Sequence, residues 1–345
     1  MNRTDHMKAV ALTRYLPIDN PESLVDVDLP KPQPAGQDLL VRVKAIAVNP
    51  VDTKVRAPKD TVEPTPRVLG WDAAGVVEEV GPDVTLFQPG DKVFYAGDIT
   101  RPGTNSEWHL IDERLVGPMP STLSFEEAAA LPLTAITAWE GLFDRLAVPA
   151  PPHAMPRQSV LIIGGAGGVG SIAVQLASKV AGLYVIATAS RPESEQWVRE
   201  LGAHEVINHF GDMPAQLKAL GHTYVDYVFI LNATDKHFAA AAEVVAPQGM
   251  ICSIVENKEA FDVGLLKSKS AGFVWEFMFT RSMFETDDMI EQHYLLSEIS
   301  RLVDAGIIRT TVDKVLTPIN AANLRKAHAM LEAGHTIGKV VLKDF

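Results

Sequence analysis

The chain has 345 residues, of which 47% are hydrophobic and 21% are charged, and its formal net charge is −12. This composition is typical of globular proteins, the length predicts about two domains, and the acidic balance argues against nucleic acid or an anionic membrane as a partner. Cys252 is the only cysteine, which excludes an intramolecular disulfide and a zinc site of several cysteines. Since no apolar run reaches the length of a membrane span and the first residues lack a secretion signal, we expect a cytoplasmic protein.

Residues 7–120 are predicted to be mostly β. Short strand-like stretches alternate with proline and glycine turns, and we expect strands at 7–12, 39–48, 70–77, 93–95 and 107–111. Many short strands at close spacing indicate a small barrel or sandwich. Ser124 and Glu127 fit a capping box, which predicts a helix start, and a second helical segment follows at 135–146. A proline-rich link is expected at 149–156.

From residue 159 onwards, the pattern alternates between strands and helices. Helices are predicted at 193–201 and 236–245, and strands at 160–163, 184–188, 205–207, 225–231, 250–254 and 273–279. This alternation predicts a doubly wound parallel sheet. The last apolar run is interpreted as buried, with a dimer edge as the alternative. The tail, with helices at 287–305 and 320–333 and a strand at 339–342, departs from the pattern and is expected to complete the first domain.

The first strand of this alternation leads directly into a glycine-rich turn and a helix. Gly165, Gly167 and Gly170 fit G-x-G-x-x-G, and apolar residues follow them at helical spacing. Glycine permits the tight turn and the close approach of a pyrophosphate, which the N–H groups and dipole of the helix N-terminus can bind. The order of strand, turn and helix predicts a dinucleotide site held by Gly165, Ala166, Gly167, Gly168, Val169 and Gly170.

The end of the next strand indicates which dinucleotide binds. An acidic residue there would bind the ribose 2′-hydroxyl and favour NAD, but the chain has Ser190 and Arg191. A hydroxyl donor and a guanidinium suit a 2′-phosphate, so NADP is the predicted cofactor. The alternative is that Ser190 is only a helix N-cap and that Arg191 is solvated.

Several motifs in a fixed order resemble those of the medium-chain dehydrogenase/reductase superfamily. They are N-P-V-D from Asn49, G-W-D-A-A-G-V-V from Gly70, P-G-D-K-V-F from Pro89, A-A-A-L-P-L-T-A-I-T-A-W from Ala128 and I-I-G-G-A-G-G-V-G from Ile162. Within the superfamily, the chain is similar to the quinone oxidoreductase branch and its zinc-type alcohol dehydrogenase-like relatives. The resemblance implies an α/β protein with a GroES-like, mostly-β catalytic domain at 1–126, completed by 281–345, and a Rossmann domain at 127–280. It commonly implies a homodimer or tetramer, and we expect the homodimer.

The usual zinc ligands of alcohol dehydrogenases are missing from the matching positions. Those enzymes carry a cysteine in C-H-T-D and a histidine in G-H-E, where this chain has Asn49 and Trp71. We therefore predict no metal site. Without a metal to acidify an alcohol, hydride transfer from NADPH to a quinone or an α,β-unsaturated carbonyl is favoured, because hydrogen-bond donors can stabilise the resulting oxyanion. A zinc alcohol dehydrogenase with unusual ligands and a non-enzymatic NADPH-binding sensor are the alternatives.

Three residues of the first domain are candidates for catalysis. By resemblance, Asn49 contacts the nicotinamide ribose or the substrate, and a turn residue before Pro50 is the alternative. Asp52 is a candidate for a proton relay, or else caps the short helix that follows. Tyr95 is a candidate donor to a carbonyl, or else a packed core tyrosine.

Further positions are expected to contact the cofactor. By resemblance, Thr137 lies near the nicotinamide carboxamide, His209 near the adenosine phosphate and Lys339 near the cofactor. The alternatives are a helix-interior threonine for Thr137 and a surface salt bridge for Lys339. Residues that follow the later strands also lie where ligands bind in such sheets, and these are Asn232, Ala233 and Val255.

Overall fold

The structure, a computed structural model, describes residues 6–149 and 158–345. The chain divides into two units, Met1–Leu133 with Phe279–Phe345 and Thr134–Met278. The sequence predicts boundaries after residues 126 and 280, a few residues away from these divisions. The proline-rich link expected at 149–156 lies, beyond its first residue, outside the described residues. Within the described residues, no helix combines the length and apolar character needed to cross a membrane.

The first unit begins with a series of short strands. Its elements up to residue 118 are β1 (His6–Tyr15), β2 (Val25–Pro30), β3 (Asp38–Ala47), α1 (Pro50–Arg56), β4 (Lys59–Val68), β5 (Asp72–Val80), β6 (Lys92–Ala96), β7 (Trp108–Asp112), a 3-10 helix (Glu113–Leu115) and β8 (Val116–Pro118). The strands predicted from the sequence correspond to β1, β3, β5, β6 and β7. Sequence analysis missed β2, β4 and β8.

The strand β4 escaped prediction because its sequence is polar. It contains Pro64 and Pro66, which are unfavourable in a central strand. In the structure, β4 pairs antiparallel with β1 at the edge of a three-stranded sheet of order β2-β1-β4. An edge strand leaves one row of its N–H groups outside the ladder, so the two prolines are tolerated there.

Two helices follow the β-rich segment. α2 (Phe125–Ala129) begins at the predicted capping box, in which the Ser124 backbone N–H donates to the Glu127 carboxylate at 2.9 Å. α2 packs against β3 and β5, and the first unit therefore extends beyond the boundary expected at residue 126. α3 (Pro132–Trp139) continues into a π-helical turn at Glu140–Arg145.

The second unit alternates strictly between strands and helices. Its strands are β9 (Ser159–Ile163), β10 (Tyr184–Thr188), β11 (Glu205–Ile207), β12 (Val225–Ile230), β13 (Val245–Ser253) and β14 (Gly272–Trp275). Its helices are α4 (Gly168–Gln175), α5 (Pro192–Leu201), α6 (Met213–Ala219) and α7 (Thr234–Val244), with a π-helical turn at Leu176–Val180 and a 3-10 helix at Val263–Lys269. All neighbouring strands are parallel, in the order β11-β10-β9-β12-β13-β14. The predicted doubly wound sheet is confirmed, and its switch point lies between β9 and β12.

The tail of the chain returns to the first unit, as expected. It contains α8 (Thr280–Met283), α9 (Glu291–Asp304), β15 (Val312–Leu316), α10 (Ala321–Glu332) and β16 (Lys339–Lys343). β16 pairs antiparallel with β3 in a seven-stranded sheet of order β15-β16-β3-β5-β6-β8, in which β7 also pairs with β3. The tail thus supplies two strands of the sheet, one of them directly beside β3.

The apolar run predicted as a strand at 273–279 is only partly a strand and only partly buried. β14 ends at Trp275, and the side chains of Trp275 and Phe277 are 43% and 45% exposed. Phe279 is buried in the first unit, where its ring meets Trp71 edge to face at a centroid distance of 5.9 Å. The run is apolar because it supplies an edge strand to one unit and a core aromatic to the other.

Glu140 and Glu276 are buried carboxyl groups of the second unit that both lie near the guanidinium of Arg145. Arg145 Nε donates to Glu276 Oε2 at 2.8 Å, and Arg145 Nη2 lies 3.9 Å from Glu140 Oε2. Burial, together with the neighbouring Glu140 carboxylate, raises the pKa of Glu276 to about 9. Since burial and the neighbouring Glu140 carboxylate disfavour the charged form of Glu276, the Glu276 carboxyl group retains a proton at neutral pH.

This protonated pair predicts a specific pH dependence of stability. Because the pKa of Glu276 is about 9 in the folded chain and 4.5 in the unfolded chain, its stabilising contribution is complete below about pH 4.5 and is lost as the pH rises towards 9. Glu276→Gln removes this titration, so its urea midpoint should fall less than that of the wild type between about pH 5 and pH 9. Glu298→Gln, in an exposed ion pair with Arg301, is the matched control and should follow the wild type. Parallel profiles for wild type and Glu276→Gln would contradict the interpretation.

Candidate functional site

The glycine turn between β9 and α4 is closed by the end of β10. Gly164 adopts a φ of +94°, which favours glycine, and its N–H donates to Thr188 Oγ1 at 2.9 Å. The Gly165 N–H donates to the Thr188 carbonyl at 3.2 Å. Thr188 therefore fixes the position of the turn through both its side chain and its backbone. Sequence analysis did not select this residue, although it ends the second strand of the motif.

The three glycines of the fingerprint have different surroundings. A Cβ on Gly170 would lie 2.2 Å from the Gly164 carbonyl oxygen, and a Cβ on Gly165 would lie 2.9 Å from the Cβ of Ala187. A Cβ on Gly167 would meet only the Gly164 carbonyl oxygen within 4 Å, at 3.6 Å. Gly165 and Gly170 thus permit close packing within the unit, whereas Gly167 keeps the turn free of side chains. The residues at 166–169 are half-buried at the N-terminus of α4.

The hydroxyl of Ser171 connects α4 to α5. Ser171 Oγ donates to the Gly167 carbonyl at 2.7 Å and accepts from Trp197 Nε1 at 2.8 Å. Since Trp197 belongs to α5, this contact holds the first turn of α4 against its neighbouring helix. The backbone that forms the predicted pyrophosphate site is thereby positioned from two sides.

Ser190 and Arg191 lie directly after β10. Arg191 is exposed and is the N-cap of α5, and its backbone N–H donates to Ser194 Oγ at 3.1 Å. Ser190 is half-buried and precedes the cap. The alternative interpretation of Ser190 as the helix N-cap is therefore wrong, because Arg191 occupies that position.

His209 follows β11 and contacts the end of β10. Its Nδ1 lies 3.2 Å from Thr188 Oγ1, and its ring packs against the exposed ring of Phe210 at 4.4 Å. Thr188 Oγ1 accepts from Gly164, so its proton is available for His209 Nδ1. Burial lowers the pKa of His209, which favours this neutral, accepting imidazole. The glycine turn, β10 and the end of β11 are thus connected by one hydrogen-bonded chain.

Asn232, Ala233 and Val255 lie at the carboxyl ends of β12 and β13. Ala233 is the N-cap of α7 and adopts a φ of +45°, in the left-handed region. The buried Thr234 hydroxyl lies 2.6 Å from Ser253 Oγ and also donates to the Val255 carbonyl. These hydroxyls hold the two strand ends together beside the glycine turn, where a Cβ on Gly164 would lie 3.7 Å from Asn232 Cβ.

A second group of predicted residues meets at one end of the sheet of the first unit. β3 ends at Ala47, which pairs with Asp72 at the start of β5 and with Val341 near the start of β16. Asn49 follows β3 by two residues, and Lys339 begins β16. Because β5 and β16 both run antiparallel to β3, Asn49, Asp72 and Lys339 come together from distant parts of the sequence.

Asn49, Asp72 and Lys339 form a buried polar network. Lys339 Nζ donates to Asn49 Oδ1, to the Val48 carbonyl at 3.0 Å and to Asp72 Oδ2 at 3.0 Å. Asn49 Nδ2 donates to Asp72 Oδ2 at 2.8 Å, and Asp72 Oδ1 accepts from the Leu133 N–H at 2.7 Å in the first turn of α3. Lys339 is 3% exposed, so the surface salt bridge considered for it is wrong. Sequence analysis missed Asp72.

Asp52 is the fourth buried polar side chain of this group. Its Oδ2 accepts from the Asn49 N–H at 2.7 Å, so the carboxylate caps α1, for which Asn49 is the N-cap. Its Oδ1 is buried without a hydrogen-bond partner. Burial raises the pKa of Asp52 to about 7, against the opposing hydrogen bond from Asn49 and the charge of Lys339. The capping alternative is thus realised, and the group can also titrate near neutral pH.

Tyr95 lies in the core of the first unit. Its hydroxyl is 3.0 Å from His109 Nδ1, and His109 Nε2 donates to the Pro102 carbonyl at 3.0 Å. Burial lowers the pKa of His109 to about 4, so its neutral ring accepts the Tyr95 proton. Trp71 is also buried, with Nε1 donating to the Asp98 carbonyl. The structure therefore favours the packed-tyrosine interpretation of Tyr95 over a donor to substrate.

Thr137 lies in α3 and is buried, so its location fits both interpretations offered for it. Among residues 6–149 and 158–345, no cluster of three His, Cys, Asp or Glu side chains could hold a metal ion. Most of the predicted site residues fall into two groups. One surrounds the glycine turn of the second unit, and the other is the buried network of the first unit, while Tyr95 beside His109 and Thr137 in α3 are assigned to neither.

Comparison with known proteins gives the same architecture. Residues 35–132 match the alcohol dehydrogenase GroES-like domain, and residues 201–342 match the zinc-binding dehydrogenase family. A zinc-type alcohol dehydrogenase-like protein of Staphylococcus epidermidis is 43% identical over 97% of this chain and 99% of its own. A structure from Rhizobium etli CFN 42, named as a zinc-dependent alcohol dehydrogenase protein, is 56% identical with a TM-score of 0.93 over 99% of each chain. The quinone oxidoreductase of Coxiella burnetii is 28% identical with a TM-score of 0.79 over 99% of this chain and 100% of its own.

The unequal surroundings of the glycines predict unequal effects of alanine. Gly170→Ala should destabilise the protein by about 1–3 kcal/mol, because its Cβ overlaps a backbone carbonyl. Gly167→Ala should leave the melting temperature nearly unchanged, since its Cβ has only an ordinary contact at 3.6 Å, yet should weaken binding of the predicted cofactor NADPH by placing a methyl on the turn predicted to hold the pyrophosphate. Thermal unfolding and titration of NADPH fluorescence measure the two effects. Wild-type NADPH affinity in Gly167→Ala would contradict the assignment of the turn.

Proposed function

Since the chain belongs to the medium-chain dehydrogenase/reductase superfamily of oxidoreductases, we propose that it is an NADPH-dependent reductase of quinones or α,β-unsaturated carbonyls that works without zinc. The observation that carries this proposal is the glycine turn fixed by Thr188, with Ser190 and Arg191 following on the same strand end.

Several features of the second unit support the proposed binding of NADPH. Gly167 keeps the turn free of side chains at the N-terminus of α4, where backbone N–H groups and the helix dipole favour a pyrophosphate. The exposed Arg191 carries a guanidinium suited to a 2′-phosphate, and Ser190 supplies a neighbouring hydroxyl. When bound, the reduced nicotinamide would supply the hydride. Asn232, Ala233, Val255 and His209 line the neighbouring strand ends and are proposed to contact the cofactor.

The residues at the family's zinc positions do not fit a zinc ion. Asn49 Oδ1 already accepts from the Lys339 ammonium, and Trp71 has no metal-binding atom. Zinc in proteins prefers thiolate and imidazole ligands with carboxylates as a third type, and here Asp72 is itself paired with Lys339. The names of two relatives refer to zinc, but in this chain the side-chain oxygen atoms Asn49 Oδ1 and Asp72 Oδ2 accept hydrogen bonds from the Lys339 ammonium. No step of the proposed reaction therefore uses a metal.

A metal-independent hydride transfer favours an acceptor that is already polarised. A quinone or an enone spreads the arriving negative charge into a phenolate or enolate, so the demand on the protein is limited to hydrogen-bond donors and a proton source. A simple aldehyde requires a stronger electrophile beside its oxygen. We therefore propose a quinone or an enone as the substrate, and the structural similarity to the quinone oxidoreductase of Coxiella burnetii supports this class.

A homodimer is part of the proposal. β14 ends the six-stranded sheet of the second unit, and Trp275 and Phe277 expose large apolar surfaces beside it. The edge of a sheet with exposed apolar side chains favours pairing with a second chain. Light scattering coupled to gel filtration should give the mass of a dimer, and Trp275→Lys should shift it towards the monomer.

A turnover assay tests the proposed function directly. Metal-analysed protein is incubated with NADPH or NADH and with a small quinone, a 2-alkenal or a simple aldehyde, while the absorbance of the reduced cofactor is followed. Turnover of quinone or enone with NADPH by metal-free protein is expected. Turnover of the aldehyde alone, abolished by a chelator, would instead support a zinc alcohol dehydrogenase. Tight NADPH binding without turnover would support a sensor.

The cofactor assignment predicts a selective effect of Arg191→Ala. Loss of a charge-assisted contact with the 2′-phosphate should raise the KM for NADPH by about 10-fold or more and leave the KM for NADH nearly unchanged. Arg199→Ala is the matched control, since Arg199 is an exposed arginine of the same helix that pairs with Glu195. Equal losses for NADPH and NADH in Arg191→Ala would contradict the 2′-phosphate assignment.

A further inference from the structure

The Lys339 ammonium is fully saturated by buried oxygen atoms. It has three N–H groups, and its three acceptors are the Val48 carbonyl, Asn49 Oδ1 and Asp72 Oδ2. These three oxygens, defined here as the oxygen cradle, come from the end of β3, the N-cap of α1 and the start of β5. Such a ring of oxygens around a buried charge resembles the coordination of a cation more than a surface salt bridge.

The hydrogen bonds around the cradle determine how the Asn49 amide is oriented, and the neighbouring carboxyl groups determine the charge that the cradle needs. The Asn49 amide must present its oxygen to the ammonium, because its Nδ2 donates to Asp72 Oδ2 at 2.8 Å. Asp72 is fully buried, and its other oxygen accepts from the Leu133 N–H. Asp52 adds a second buried carboxyl group whose Oδ1 has no partner. The cradle therefore demands a positive charge, and removal of that charge would leave buried acidic groups without compensation.

We propose that the Lys339 ammonium takes the place of a metal ion in this cradle. It binds Oδ1 of Asn49, the residue at the family's first zinc-ligand position, together with the other two cradle oxygens, so no metal ion is needed there. The proposal goes beyond the proposed function, because it concerns which cation organises Asn49, Asp72 and the first turn of α3. It implies that the cradle is selective for a primary ammonium: three oxygen acceptors match three N–H donors. Truncation of Lys339 should thus convert the cradle into a binding site for a small alkylammonium ion.

Chemical rescue tests this inference without any measurement of turnover. Lys339→Ala removes three methylenes and the ammonium, and n-propylammonium supplies the same atoms. We expect Lys339→Ala to melt well below the wild type, and millimolar n-propylammonium to raise its melting temperature by at least about 2 °C. Tetramethylammonium, which carries the charge without N–H donors, should not do so.

Two further variants serve as controls. Lys339→Met fills the space without a charge, so n-propylammonium should leave its melting temperature unchanged. Lys343→Ala removes a lysine of the same strand that pairs with Glu126 at the surface, and it should melt near the wild type and show no rescue. Equal responses of Lys339→Ala to both ammonium ions, or no response to either, would overturn the proposal.

A double variant keeps the test decisive if Lys339→Ala does not fold. Lys339→Met leaves the buried Asp72 charge without its partner, and Asp72→Asn removes that charge. The double variant should therefore melt above Lys339→Met alone. Additive losses would mean that Lys339 is not the counter-cation of Asp72. Stoichiometric zinc in dialysed wild-type protein, lost in Asp72→Asn, would show that a metal occupies the cradle and would also overturn the proposal.

Discussion

The first unit depends on one buried ion pair, formed by residues that are 267 positions apart in the chain. Lys339 opens β16 and Asp72 opens β5, and both strands meet at the end of β3 where α1 begins. Through Asn49 the pair determines the N-cap of α1, and through the Leu133 N–H it determines the first turn of α3. A buried pair with its remaining atoms hydrogen-bonded repays its desolvation, whereas either partner alone would be strongly unfavourable. The pair consequently positions four elements, β5, β16, α1 and the first turn of α3, relative to one another.

The second unit depends on a steric constraint instead of a charge. The turn after β9 approaches α4 so closely that Gly170 has no room for a side chain, and Thr188 ties this turn to the end of β10. His209 extends this hydrogen bonding to the end of β11, and a separate hydrogen bond between the Thr234 and Ser253 hydroxyls connects the ends of β12 and β13. A site of this kind is rigid because its polar groups satisfy one another before a ligand arrives. The two units thus use different physical means to fix the residues proposed to act in one reaction.

Much of the fold could be predicted from the sequence where the signal is local. The strands of the parallel sheet are apolar on both faces and end in glycine or polar residues, so β10 and β11 were predicted with the bounds that the structure gives them. β4 was missed because its prolines and charges are tolerated only at an edge, and edge position is a property of the assembled sheet. The glycine motif of the site is local as well. Asp72 was missed because its partners Lys339, Asn49 and Leu133 are adjacent only after folding.

The comparison with relatives shows that proteins with the same fold can differ in the residues at a given site. This chain matches proteins named for zinc over nearly its whole length, yet at the two corresponding positions it has Asn49, whose Oδ1 accepts from the Lys339 ammonium, and the buried Trp71. In the proposal made above, the Lys339 side chain fills the place that a metal ion would otherwise take at this sheet end. The family gives the fold of this chain, and individual side chains determine its chemistry.

The position of Lys339 in the chain has a consequence for protein synthesis. β5 and α1 leave the ribosome early, but β16 emerges only after the entire second unit, about 210 residues after α3 begins, which takes about 10–40 s at 5–20 residues per second. During this interval Asp72 and Asp52 have no counter-charge, and the edge of β3 that β16 will cover is open. The nascent first unit must therefore wait, partly assembled, while the later unit folds.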